Sequence, residues 1–151
     1  MKTMIATSKI RPDGHQTVFP PFGSLAIIQR LIDHGFDNTY LFDIDGIRPT
    51  DKEIKERLIN DKPDVVGISG VVSTAYVFIK KLVTIINDLL PETIVVVGGN
   101  VAANSEILLT ISNVDYCVIS EGELAATELW TYINKYKNNK KSKPENYDKL
   151  K

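Results

Sequence analysis

Apolar residues along this chain follow two rhythms. Short, nearly continuous β-branched runs stand at Thr3–Ala6, Asn38–Phe42, Val65–Ile68, Thr93–Val97 and Tyr116–Ile119. Runs that are apolar at every position, rather than at alternate ones, predict strands buried on both faces. Between them the spacing changes to three and four. Leu25, Ile28, Leu31 and Ile32 are expected to share one face of a first helix, and Phe78, Leu82, Ile85, Ile86 and Leu89 one face of another. Helix starts are marked as well. Thr50-Asp51-Lys52-Glu53 and Ser120-Glu121-Gly122-Glu123 both fit a capping box, in which a hydroxyl and a carboxylate satisfy free amides of the first turn. Strands alternating with helices predict an α/β fold: a doubly wound, five-stranded parallel sheet in a flavodoxin-like (Rossmann-like) three-layer sandwich.

Composition narrows the setting without naming a function. At 151 residues the chain is long enough for one domain with a real core. A net charge of −1 gives no reason to expect nucleic acid or a membrane surface as partner. The apolar runs are too short to span a bilayer, and MKTMIATSKI lacks the apolar core of a secretion signal. The single cysteine, Cys117, can form no internal disulfide, which suits a reducing cytoplasm; nor can one thiol hold an iron–sulfur cluster. After Ile133 the periodicity stops. Residues 1–134 read as the α/β domain, and the lysine- and asparagine-rich stretch 135–151 as a linker or a solvated tail.

In open α/β sheets, ligands gather beyond the carboxyl ends of the strands. The loops there are SKIRPDGHQTVFPPFGS, DIDGIRP, SGVVST, GGNVAAN and SEGE. Their glycines and small hydroxyl residues would let a ligand lie against the backbone. A dinucleotide fingerprint is missing, because SKIRPDGHQ after the first strand holds a single glycine. Ser69 stands where a phosphoacceptor aspartate would end the third strand, and a P-loop is absent. Asp43 and Asp45, ending the second strand, would suit a ribose hydroxyl or serve turn chemistry around Gly46, and His34 with Gly35 reads as a helix C-cap. The two histidines, His15 and His34, build no convincing catalytic triad.

What remains forms an ordered set: FPPFGSLAIIQRLIDHGF, DKPDVVGISGVVSTAY, VVVGGNVAANSE and VDYCVISEGELAATELW. Together these stretches resemble the cobalamin-binding domain of cobalamin-dependent radical SAM enzymes, over roughly residues 18 to 133. The resemblance implies that Pro20, Pro21, Phe22 and Gly23 lie near the cobalt face of the corrin ring. It implies that Ser69, Gly70, Val71, Val72, Ser73 and Thr74 line the buried nucleotide tail of the cofactor. Gly98, Gly99 and Asn100, with Val101 after them, would let that tail run between sheet and helix. Glu121, Gly122 and Glu123 match the acidic helix start, with Ser120 in place of the usual glycine.

A second branch of cobalamin proteins carries D-x-H-x-x-G after the first strand, its histidine binding cobalt. Asp13 and His15 keep that separation, but Val18 replaces the glycine, and the radical SAM branch needs no such ligand. The resemblance implies cobalamin as cofactor and methyl transfer to an unactivated carbon as chemistry. It also implies a radical SAM domain, in cis or in trans, that brings the 4Fe-4S cluster and S-adenosylmethionine. No catalysis is expected from this chain alone. The alternatives are a nucleotide- or small-molecule-binding regulatory domain of the same fold, and an interaction domain whose cleft is empty and whose glycines serve only tight turns.

Overall fold

The computed structural model describes residues 1–11, 19–119 and 121–136. Five parallel strands form one sheet in the order β2-β1-β3-β4-β5, with β1 Thr3–Thr7, β2 Thr39–Phe42, β3 Val65–Ser69, β4 Ile94–Gly98 and β5 Tyr116–Cys117. The predicted doubly wound α/β architecture is therefore present. Chain order reverses between β1 and β3, and this switch point opens a crevice at the carboxyl edge of the sheet.

Two layers of helix cover the sheet: α1 (Phe22–Asp33) and α6 (Gly122–Tyr136) on one face, α3 (Asp51–Asp61), α4 (Tyr76–Leu89) and α5 (Ser105–Ile111) on the other. A single helical turn, α2 (Ile44–Ile47), follows β2. The pleat divides the strand residues between the layers. Met4, Ala6, Val66, Ile68, Val95 and Val97 face the α3–α4 side with Ile54, Leu58, Ile79 and Ile86. Ile5, Val65, Ile94 and Val96 face the other, with Leu31, Leu129, Trp130 and Ile133.

Local signals work as the sequence predicts. The Thr50 hydroxyl accepts from the Glu53 amide at 3.3 Å, and the Thr50 amide donates to Glu53 Oε2 at 2.7 Å, closing the capping box of α3. Gly35 ends α1 at φ 86°, with its amide on Ile32 O and the Phe36 amide on Leu31 O, a Schellman cap. Ser120 lies outside the described residues, and so does the second capping box with it.

The inward face of α1 differs from expectation. Leu25 is 40% exposed, and Ser24 takes the buried position at the start of the stripe that Ile27, Ile28 and Leu31 continue. At the last strand, pairing ends at Cys117 rather than Ile119, its last partner on β4 being Val97.

Candidate functional site

On the α1–α6 face the sheet residues shrink toward the carboxyl edge. Val65, Gly67 and Ser69 follow one another on β3, and Ile94, Val96 and Gly98 beside them on β4. A cavity of about 190 Å³ lies between the sheet, α1 and α6 beside the bare Gly98, while at Gly67 the Ile5 and Trp130 side chains pack against the backbone, a Cβ there falling 2.8 Å from Ile5 Cδ1. Its walls are Ile5, Ile27, Val96, Val118, Ala126 and Trp130, and Gly23, Ser24, Ser69, Gly122 and Glu123 stand around it. The Trp130 indole is fixed by donating from Nε1 to Thr3 Oγ1 at 3.0 Å, both buried.

The two glycines after β4 have different tasks. A Cβ on Gly98 would meet nothing nearer than Val118 at 4.0 Å, so this glycine leaves open space. Gly99, at φ 81°, would place a Cβ 2.6 Å from Gly70 O. Gly70 is in turn wedged against Ile79 and Val101, donates its amide to Gly98 O at 2.9 Å and accepts from the Val101 amide at 3.0 Å. Gly70 and Gly99 thus lock the β3 and β4 loops together, and Gly98 opens toward the cavity.

Of the residues singled out from sequence, Gly23, Ser69, Gly98, Gly99, Gly122 and Glu123 come together around the cavity. The others stand apart from it. Pro21 precedes α1 and Phe22 is 71% exposed. Val71, Ser73 and Thr74 are exposed, and Val72 packs on the opposite core. The Thr74 hydroxyl donates to Ile10 O at 2.9 Å, tying the β3 loop to the β1 loop. Asn100 and Glu121 are exposed, while Val101 is buried under Gly70. Asp13, His15 and Val18 lie outside the described residues.

Sequence reasoning missed Gly67, Ser24 and Trp130. A glycine inside an otherwise β-branched strand was the available signal for the first, since it usually marks a close approach.

Asp43 and Asp45 serve the turn, as expected. Asp43 Oδ1 accepts from the Gly46 amide at 3.1 Å and from the Thr7 hydroxyl at 2.8 Å. Asp45, buried, pairs with Arg48 at 2.9 Å and accepts from the Ile10 amide at 3.0 Å, holding the base of the β1 loop. Burial pushes the Cys117 thiol up to about 11, so it is neutral near pH 7. Among the described residues, no group of three or more His, Cys, Asp or Glu is placed to hold a metal ion. No helix among them is long and apolar enough to cross a membrane.

Comparison with known proteins gives the ligand class of the domain. The family model of the B12 binding domain matches residues 15–130. The chain belongs to the B12-binding domain family. Among solved structures, this B12-binding domain is similar to the monomethylamine corrinoid protein of Methanosarcina barkeri, with a TM-score of 0.62 at 14% identity. The likeness covers 87% of this chain and 57% of that one, so the chain spans a little over half the length of that protein. No curated protein matches the sequence. Membership makes cobalamin the ligand of the domain. The cavity suits such a group on its own terms: its walls are apolar, Gly98 leaves open space beside it, and the buried Ser24 hydroxyl has no partner.

Proposed function

We propose that the domain holds its corrinoid with the nucleotide tail threaded into the cavity between the sheet and the α1–α6 layer. In this reading it serves as the cobalamin module of a radical SAM enzyme. The observation that carries the placement is the cavity itself, which opens at the carboxyl edge where Gly98 leaves the space free. Apolar walls exclude water from the tail, and the glycine backbone lets it approach the sheet. The same edge exposes Phe19, Phe22, Ile119 and Leu124, apolar surface on which a corrin ring can rest.

When bound, the cofactor supplies methyl transfer between S-adenosylmethionine and an unactivated carbon. The 4Fe-4S cluster and S-adenosylmethionine belong to a radical SAM domain in cis or in trans, with the lysine-rich sequence from residue 135 as the connection in the first case. The role of the B12-binding domain is to bind, orient and shield, as proteins do for cofactors that carry the hard chemistry. The radical SAM assignment is supported by the ordered motifs PPFG, PDVVGIS, GGN and SEGE.

The test is spectroscopic. The protein is incubated with hydroxocobalamin, freed of excess ligand, and its visible spectrum recorded for the unaltered chain and for His15→Ala. Retained corrin absorbance with identical spectra is expected. A spectral shift in His15→Ala would overturn the radical SAM assignment in favour of a histidine-ligated corrinoid protein.

A further inference from the structure

We propose that the Ser24 hydroxyl is the polar contact through which the cavity recognises the nucleotide portion of the corrinoid. The domain would then select corrinoids with a complete nucleotide over those lacking one. This rests on the tail placement proposed above.

Ser24 is 4% exposed, lines the cavity, and its Oγ has no hydrogen-bond partner. That is costly for a buried hydroxyl. Exposed helical hydroxyls elsewhere in the chain donate to the carbonyl four residues back. Thr84 does so to Lys80 O at 3.0 Å, Thr110 to Glu106 O at 2.6 Å, and Thr131 to Thr127 O at 2.8 Å. Ser24, in the first turn of α1, has no helical carbonyl four residues behind it, and no side chain caps α1. Its helix stripe continues with Ile27, Ile28 and Leu31, so an apolar residue would pack here without that cost.

A polar atom kept unpaired in an apolar cavity is explained by a ligand that pairs it. The rest of the wall is Ile5, Ile27, Val96, Val118, Ala126 and Trp130. A group that fits must therefore combine flat apolar surface with an atom able to hydrogen-bond. The base and ribose of a nucleotide have that chemistry, and a hydroxyl can donate to a ring nitrogen or accept from a ribose hydroxyl.

The test compares hydroxocobalamin with cobinamide, a corrin that lacks the nucleotide, on the full chain and on Ser24→Ala. Affinities come from retained corrin absorbance, and thermal melting is followed without ligand. Ser24→Ala should weaken hydroxocobalamin binding about tenfold, leave cobinamide binding unchanged, and melt no lower than the unaltered apo protein. Equal binding of the two corrinoids by the unaltered chain would overturn the tail placement itself. A preference for hydroxocobalamin that survives Ser24→Ala would overturn the Ser24 assignment alone. So would an equal loss for both corrinoids, or a lowered melting temperature with unchanged affinity.

Discussion

Gly99 carries no side chain because the carbonyl oxygen of Gly70 occupies the place where its Cβ would stand, 2.6 Å away. The neighbouring Gly98 faces no such obstacle, its nearest obstacle being Val118 at 4.0 Å. One glycine of the pair is therefore required by the fold, and the other leaves open space beside the cavity.

Substitution should separate the two roles. Gly99 has φ 81° and ψ −171°, a region that only glycine enters freely. Gly99→Ala should cost about 3 kcal/mol of stability, from backbone strain together with the clash. Gly98→Val should change stability by about 1 kcal/mol or less yet sharply lower corrinoid retention. Urea unfolding of the apo protein and hydroxocobalamin retention, measured on both variants, check the contrast.

Trp130 is the single tryptophan of the chain and forms part of the cavity wall. Corrin absorption overlaps indole emission, so titration with hydroxocobalamin should quench the intrinsic fluorescence in step with binding. Trp130→Phe removes the donor to the buried Thr3 hydroxyl. It should cost about 1–3 kcal/mol through the acceptor left unpaired, read as a lower denaturation midpoint.

Cys117 supplies a pH dependence of known sign. Burial raises its thiol from the ordinary 9.0 to about 11, so the unfolded chain releases this proton first as pH rises. The contribution to stability is complete below pH 9 and is lost as pH climbs through 11. Cys117→Ala should lose less stability than the unaltered chain across that window, in parallel denaturant titrations. Alkylation of the native thiol by iodoacetamide at pH 8 should be far slower than in the unfolded chain.

Asp45 and Arg48 form a largely buried pair at the foot of the β1 loop. Asp45→Ala takes the carboxylate from the Arg48 guanidinium, which keeps its bonds to the Asp45 and Arg11 carbonyls, and leaves the Ile10 amide without its acceptor. A loss of about 3 kcal/mol is expected, and protease cleavage in the β1 loop should accelerate with it.

The ordering of strands and helices was legible because periodicity is a local property. Continuous β-branched runs announce buried parallel strands, and the Thr50–Glu53 box and Gly35 cap announce helix ends. The inward face of α1 was not legible. Leu25 offers an apolar residue at a plausible position, while the residue that actually turns inward is polar. Local pattern and tertiary role disagree at Ser24, and such conflicts concentrate where a protein serves a ligand rather than its own stability.

The sequence by itself determined the α/β class, the caps, and a set of motifs pointing to a corrinoid. Which of those residues meet around one space was decided only by the folded sheet. Register sets Gly67 beside Val96 and Ser69 beside Gly98, and α1 and α6 close over them. Side-chain direction alternates along a strand and rotates around a helix, so adjacent residues such as Gly98 and Gly99, or Ser24 and Leu25, acquire different neighbours once the layers pack. No reading of the linear order alone contains those distances.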